Sequence, residues 1–165
     1  MVTDKDLFSL CERVGRKLRV AGRRLATAES CTGGWVAKAC TDIAGSSQWF
    51  ECGFVTYSNA AKVRDLGVSE RTLADHGSVS EATVREMAVG ALRVSGADVA
   101  VAISGIAGPE GGTATKPVGT VWFGLASRHD TEVSVIAQLH AFAGDRELIR
   151  RRSVEKALVL VLGDG

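Results

Sequence analysis

Ser30 is the residue whose setting points most directly to chemistry. It follows a short apolar run, 25–28, that predicts a strand, and a helix is predicted from Gly34 onward. A hydroxyl at such a corner lies near unpaired backbone N–H groups and the positive end of a helix dipole. Because such groups stabilise an oxyanion, Ser30 is a candidate nucleophile. Thr32, Gly33 and Gly34 would then bind substrate, since glycine lets a ligand approach the backbone closely.

A plainer interpretation stays open for the same corner, and so does a rival nucleophile. Ser30 or Thr32 could serve only as the N-cap of the following helix, a position that favours Ser and Thr. Cys31 is the rival nucleophile, although neighbouring side chains should point in different directions.

A serine nucleophile needs a base, and Lys62 is the best candidate. No Gly-x-Ser-x-Gly elbow surrounds the serine, His129 falls in the predicted hairpin turn, and His140 lies on a strand with no recognisable acidic partner nearby. If the segment after Tyr57 turns helical, Lys62 returns to the side where the preceding strand ends. A lysine desolvated there can be neutral near pH 7 and accept the serine proton. Tyr57 is a second candidate, as a proton relay or a hydrogen-bond donor to the intermediate; the alternative is an exposed Lys62 and Tyr57 at the core edge.

A second candidate site is the glycine-rich segment that begins at Ser104. It follows 99–103, a continuous apolar run typical of a strand buried on both faces. Successive backbone N–H groups of such a loop can bind phosphate, although a plain long loop is an equal alternative. The segment is neither a Walker A loop nor a dinucleotide fingerprint, because no Gly-Lys-Ser/Thr follows and the glycine spacing differs. The residues expected to bind substrate here are Ser104, Gly105, Ile106, Ala107 and Gly108.

Two further observations concern this loop and its possible ligand. Both prolines of the chain, Pro109 and Pro117, lie between residues 105 and 119 together with five glycines, which predicts one stiffened loop. Arg146, just inside the last predicted helix, could add a bidentate grip on phosphate or carboxylate, or could be an ordinary surface arginine.

Helices and strands alternate along the chain without a linker, which predicts how these residues are positioned. Strands 118–126 and 132–142 flank a tight connection and therefore form an antiparallel hairpin. We predict an α/β fold, a three-layer α/β/α sandwich on a mixed, partly antiparallel sheet, as one domain over 1–165. The remaining elements are a helix from Thr3 to near Gly22, strands 25–28, 50–57 and 99–103, helices 34–41, 58–65 and 70–74, a helix opened by a capping box at Ser78–Glu81 and ending at Gly96, and a helix from Asp145 to about Leu162.

Composition excludes several classes of protein. The 20 basic and 19 acidic side chains give a net charge of +1, which argues against a nucleic-acid binder, and the basic run at 150–152 is expected to be a solvated helix face. No apolar run approaches the ~20 residues of a membrane span, and the N-terminus does not resemble a signal peptide. The four cysteines form no Cys-x-x-Cys pair and the three histidines are scattered, so we expect reduced thiols, no metal, no cofactor and a cytoplasmic location.

Taken together, the motifs resemble the CinA C-terminal domain family over about residues 5–160. No single block is specific, but all occur in order and cover nearly the whole chain. The blocks are TAESCTGG at 27–34, DIAGSS at 42–47, GFVTYSN at 53–59, SGIAGP at 104–109, KPVGTV at 116–121 and FAGDR at 142–146. The last block has Ala143 where the family pattern is associated with serine. The chain resembles the stand-alone form, without the extra N-terminal domain of longer relatives.

The resemblance implies nicotinamide-nucleotide amidase activity, which converts nicotinamide mononucleotide to nicotinate mononucleotide and ammonia in pyridine-nucleotide salvage. It implies a metal-free serine mechanism, with Ser30 on the nucleophile position. Tyr57, Asn59 and Lys62 match the family segment Tyr-Ser-Asn-x-x-Lys, and we expect Asn59 to bind substrate. It also implies a homo-oligomer. The competing hypothesis is a non-catalytic nucleotide-binding or interaction module linked to competence or DNA damage; a metal-dependent hydrolase is a weaker third.

Overall fold

A five-stranded mixed sheet is the middle layer of the computed structural model, which describes residues 2–163. Three neighbouring strands are parallel, and the other two continue the sheet as an antiparallel hairpin. The predicted fold class is therefore confirmed. The strands, in the order in which they lie across the sheet, are β2 Phe50–Val55, β1 Leu25–Glu29, β3 Val99–Gly105, β4 Thr120–His129 and β5 Glu132–Ala141.

Helices cover both faces of the sheet and bury a separate apolar cluster on each. One cluster packs the first, second and last helices against the sheet, and the other packs the third and fifth helices against the opposite face. Strand β3 contributes to both clusters, as its continuous apolar run predicts. The helices are α1 Asp4–Ala21, α2 Trp35–Thr41, α3 Asn59–Leu66, α4 Glu70–His76, α5 Glu81–Ser95 and α6 Arg146–Gly163, with a 3-10 turn at Ser46–Gln48.

The N-terminus of α5 differs from the sequence prediction. Its N-cap is Ser80, whose hydroxyl accepts from the Thr83 N–H, and not Ser78 at the start of the predicted capping box. Ser80 is the N-cap because the helix begins at Glu81, so that the Ser80 hydroxyl can accept from an otherwise unpaired N–H of the first turn. Ser78 is therefore left in the loop before the helix, at the edge of the sheet where β3 ends.

Strand register places the two candidate sites side by side. Glu29 of β1 lies opposite Ile103 of β3, and the N–H of Ser30 donates to the Ile103 carbonyl at 3.0 Å. Ser30, just after β1, and Ser104, near the end of β3, therefore lie at the same edge of the sheet, one strand spacing of ~4.8 Å apart. Ligands of open α/β sheets bind at this carboxyl edge of the parallel strands.

A close approach between helices fixes the position of α3. A Cβ atom added at Gly90, in the middle of α5, would lie 2.0 Å from the Leu66 carbonyl oxygen at the end of α3. Only glycine allows the two backbones to touch there. The contact matters for function because α3 carries Lys62.

We predict that Gly90→Ala destabilises the protein by about 1–3 kcal/mol, because the added methyl forces α3 away from α5. An alanine in an unconstrained helix position would instead stabilise slightly. The free energy of unfolding from urea titration measures the effect. Gly163→Ala is the matched control, since a Cβ there meets no atom within 4 Å; equal stabilities for the two variants would contradict the packing account.

Candidate active site

The structure brings Ser30 and Lys62 into direct contact. The Lys62 Nζ donates to the Ser30 Oγ at 3.1 Å, although 32 residues separate them in the sequence. Lys62 has no exposed surface and Ser30 is 8% exposed. The pair therefore lies just beneath the surface, at the carboxyl edge of the sheet.

The local sequence explains how the lysine reaches the serine. The Ser58 hydroxyl accepts from the Ala61 N–H and starts α3 directly after β2. The first turn of that helix returns Lys62 to the end of the strand, where the carbonyls of Thr56 and Tyr57 accept from its Nζ at 2.8 and 3.2 Å. The amine is thus held by two carbonyls and one hydroxyl.

Burial lowers the pKa of Lys62 from 10.5 to about 8, with a smaller opposing effect of Cys31. Within residues 2–163 no carboxylate forms an ion pair with the amine, so little offsets its desolvation. About a tenth of the molecules carry a neutral Lys62 at pH 7. A neutral amine at 3.1 Å from a hydroxyl has the geometry of a general base for that hydroxyl.

Cys31 lies in a different environment. Its thiol is buried in the apolar cluster beneath α2 and α6, and burial raises its pKa to about 11. It is therefore protonated at neutral pH, while the reactive form of cysteine is the thiolate.

A buried carboxylate that sequence reasoning missed occupies the N-terminus of α2. Glu29 accepts from the Val36 and Ala37 N–H groups at 2.9 Å each, and it is fully buried. Neither Ser30 nor Thr32 caps this helix, whose N-cap is Gly34. The first N–H groups of α2 are consequently satisfied by Glu29. The signal in the sequence is an acid at the end of a short predicted strand, a few residues before a predicted helix.

The turn after Ser30 has two glycines because its backbone requires them. Gly33 and Gly34 have φ values of +62° and +92°, in the left-handed region. The Gly33 N–H donates to the Ser30 carbonyl at 3.0 Å, whereas the N–H groups of Cys31 and Thr32 donate to no other residue within 2–163. Thr32 is buried and its hydroxyl also lacks a partner there. Thr32 and the two glycines line a shallow cavity facing α6, not the cavity that contains Tyr57.

A cavity of about 380 Å³ is lined by Tyr57 and by most of the predicted loop residues, whereas Ser30 and Lys62 are not among its lining residues. Tyr57 is 62% exposed and forms one wall, and its own carbonyl accepts from Lys62. The lining residues are Tyr57, Gly77, Ser78, Val79, Gly105, Ile106, Ala107, Gly108, Glu110, Gly111, Thr113, Lys116 and Arg146.

Two cations face this cavity. Arg146 donates to the Gly108 carbonyl at 2.7 Å and lies 3.4 Å from the Tyr57 hydroxyl. Lys116, which sequence reasoning did not select, donates to the His76 carbonyl at 2.8 Å. The only earlier signal for Lys116 was its place in one of the family blocks.

The loop glycines are explained by packing. A Cβ at Gly105 would lie 2.6 Å from the Val121 side chain, and one at Gly108 would lie 2.5 Å from Val118. Ser104 is buried, and its hydroxyl donates to the Ser78 carbonyl at 2.7 Å. Ser104 therefore fixes the loop before α5 at the cavity wall.

Asn59 is not brought to the cavity. It lies at the exposed start of α3 and lines a groove between α3 and α4. Tyr57 contributes two different groups: its carbonyl contacts Lys62, and its phenol contacts Arg146 in the cavity.

Neither a metal cluster nor a membrane span is found in residues 2–163. No three His, Cys, Asp or Glu side chains of this range are grouped so that they could hold a metal ion. No helix in the same range is both long and apolar enough to cross a membrane.

Comparison with known proteins gives consistent results. A family model described as the CinA C-terminal domain matches residues 7–163. The chain is 56% identical over 157 residues to the nicotinamide-nucleotide amidohydrolase PncC of Escherichia coli K12, covering 95% of this chain and 93% of that one. It is 54% identical to a putative competence-damage inducible protein of Symbiobacterium thermophilum, of which it spans 38%. A crystal structure of competence damage-inducible protein A from Klebsiella pneumoniae superposes with a TM-score of 0.90, at 42% identity and 96% coverage of both chains.

The depressed pKa of Lys62 predicts a pH-dependent stability. The unfolded chain binds more protons than the folded one between pH 8 and 10.5, so the contribution of Lys62 to stability rises with pH across that window. The quantity to compare is the free energy of unfolding of Lys62→Met minus that of the wild type. This difference should be largest below pH 8, where the wild type bears the full cost of burying a protonated lysine. It should fall by roughly 3 kcal/mol on reaching pH 10.5, at ~1.4 kcal/mol per pKa unit.

Urea titration at a series of pH values measures this difference, and titrations common to both proteins cancel in it. Lys38→Met is the matched control, because Lys38 is 67% exposed and pairs with Asp42. A flat difference for Lys62→Met would contradict the lowered pKa.

Proposed function

Because this chain belongs to the CinA C-terminal domain family, we propose that it hydrolyses the carboxamide of nicotinamide mononucleotide to nicotinate mononucleotide and ammonia. The 56% identity to a nicotinamide-nucleotide amidohydrolase, over nearly the full length of both chains, supports this substrate. The observation that carries the proposed mechanism is the 3.1 Å contact of the Ser30 hydroxyl with a fully buried lysine. An amide hydrolase needs a nucleophile with its base, and this pair supplies both.

In the proposed acylation step, neutral Lys62 accepts the Ser30 proton as the Oγ forms a bond to the carboxamide carbon. The carbonyl oxygen becomes an oxyanion. The intermediate collapses when the C–N bond breaks and the leaving nitrogen takes the proton from Lys62, which releases ammonia. A water molecule then attacks the carbonyl carbon of the Ser30 ester and gives one proton to Lys62. When the C–O bond to Ser30 breaks, the Oγ takes this proton back from Lys62, which releases the nicotinate product and restores the serine and the neutral amine.

The N–H groups of Cys31 and Thr32 are the proposed donors to the oxyanion. They follow the nucleophile directly, and they donate to no other residue within 2–163. Backbone donors fixed before the reaction cost no reorganisation when charge develops. The helix dipole of α2, by contrast, is already offset by the Glu29 carboxylate.

The cavity that Tyr57 lines suits the remainder of the nucleotide. Arg146 and Lys116 face it as cations that can neutralise a phosphate, and the N–H groups of Ala107 and Gly108 have no partner within residues 2–163. A guanidinium can bind phosphate through two parallel hydrogen bonds. The Tyr57 phenol contacts Arg146, so we assign Tyr57 to substrate binding and Lys62 to proton transfer.

The second candidate function, a non-catalytic module, rests only on the name of a relative, a putative competence-damage inducible protein of which this chain spans 38%. Ammonia release separates the two. Pure protein incubated with nicotinamide mononucleotide and a chelator should release ammonia if the serine mechanism is right. Binding without ammonia would support the module, and activity lost on chelation would support a metal-dependent hydrolase. The homo-oligomer and the cytoplasmic location stay predictions.

We predict that Ser30→Ala abolishes ammonia release while the protein stays folded. The kcat/KM of the wild type should rise with pH and level off above about pH 8, because only the neutral form of Lys62 accepts a proton. Lys62→Ala should lower kcat by at least about a hundredfold. Lys38→Ala is the control for loss of a lysine, and full activity in either site variant would remove that residue from the mechanism.

We predict that Arg146→Ala raises KM for nicotinamide mononucleotide about tenfold, because a charge-assisted contact to phosphate is lost. Nicotinamide riboside lacks the phosphate, so its kcat/KM should be unaffected by the same substitution. Steady-state ammonia assays with both substrates give the comparison. Arg71→Ala is the control, since Arg71 lies exposed on α4 and pairs with Asp75; equal losses on both substrates would place the phosphate elsewhere.

A further inference from the structure

Arg150 of α6 donates two hydrogen bonds to the turn that follows Ser30. Its Nε donates to the Cys31 carbonyl at 3.0 Å, and its Nη2 donates to the Thr32 carbonyl at 3.0 Å. Arg150 lies more than one hundred residues further along the chain, so these contacts tie the last helix to the active-site turn. The sequence predicts only a solvated basic face for this part of α6.

The same guanidinium is fixed from a second side. It lies over the Trp35 ring, 5.3 Å from its centroid, in the first turn of α2. The flat guanidinium suits this place, because it can lie against an aromatic ring and donate two hydrogen bonds from its edge at the same time. Arg150 is therefore held in place by the turn itself and by the helix that follows it.

Peptide geometry connects these hydrogen bonds to the reaction. The Cys31 carbonyl and the Thr32 N–H belong to one planar trans peptide, in which the two groups point in opposite directions. A carbonyl held towards Arg150 keeps the Thr32 N–H directed away from it. This N–H is one of the two that donate to no other residue within 2–163.

We propose that Arg150 is a positioning residue, which holds the Cys31–Thr32 peptide so that the Thr32 N–H is available to the oxyanion formed at Ser30. This role rests on the proposed amide hydrolysis. A charge-assisted bond to the Cys31 carbonyl stabilises one peptide orientation and polarises the same peptide, which strengthens its N–H as a donor. Without Arg150 the carbonyl loses its partner and the peptide is free to rotate.

The test measures kcat and KM of Arg150→Ala with nicotinamide mononucleotide and with its thioamide analogue. Since Arg150 touches no substrate atom in this account, kcat should fall about 10- to 100-fold while KM changes less than about twofold. Sulfur accepts hydrogen bonds more weakly than oxygen, so the wild type should strongly prefer the oxygen substrate. That preference should shrink in Arg150→Ala, because the donor that senses the oxygen is no longer fixed.

Arg151→Ala is the matched control. Arg151 stacks on the same Trp35 ring, at 5.0 Å, but pairs with Asp4 and Glu147 instead of the turn. Its kcat and its oxygen-to-sulfur preference should equal those of the wild type. Arg150→Lys, which keeps the charge and one donor, should recover part of kcat and carries the test if the alanine variant does not fold.

Three results would overturn the role. Wild-type kcat in Arg150→Ala would do so, as would a reduced kcat with an unchanged oxygen-to-sulfur preference, which indicates a merely structural part. Loss of activity in Arg151→Ala equal to that in Arg150→Ala would assign the effect to the Trp35 stack. A wild-type chain that releases no ammonia overturns the proposed hydrolysis itself, and this role with it, so the two failures are distinguishable.

Discussion

The burial of one amine beside one hydroxyl is the constraint on which the site depends. Lys62 has no exposed surface and no carboxylate partner among residues 2–163, so it costs free energy whenever it is protonated. The fold accepts that cost by giving the Lys62 Nζ three oxygen partners, of which one is the Ser30 hydroxyl. The same desolvation that opposes stability brings the pKa of Lys62 to about 8, where the amine can act as a base.

Helices on both faces of the sheet position the residues that surround this contact. On one face, the approach of α5 at Gly90 sets α3, and α3 delivers Lys62. On the other face, α6 delivers Arg146 to the cavity and Arg150 to the turn. The parallel strands β1 and β3 align the serine corner with the glycine-rich loop. The reacting group, the proposed oxyanion donors and the proposed phosphate site thus come from elements that share one sheet edge.

Much of this arrangement follows from short-range sequence patterns. The Ser58 cap places Lys62 one turn after a strand, and the buried run before Ser104 fixes where the loop begins; both are local signals. Contacts between distant segments left no such pattern. The Lys116 bond to the His76 carbonyl spans 40 residues, the Ser104 bond to Ser78 spans 26, and Arg150 reaches back more than one hundred. The glycines of the turn and of the loop are identifiable in the sequence, but the reason for them is not. Close approach of a ligand and close packing of the backbone both require glycine.

A crystal structure of Ser30→Ala with nicotinamide mononucleotide tests the central claim most directly. If Ser30 is the nucleophile, the carboxamide carbon should lie about 3–3.5 Å from the position of the missing Oγ. The carbonyl oxygen should be directed at the Thr32 N–H, and the phosphate should lie between Arg146 and Lys116. A nucleotide bound with its carboxamide in solvent, or in the groove that Asn59 lines, would contradict the assignment of Ser30 and Lys62 as nucleophile and base.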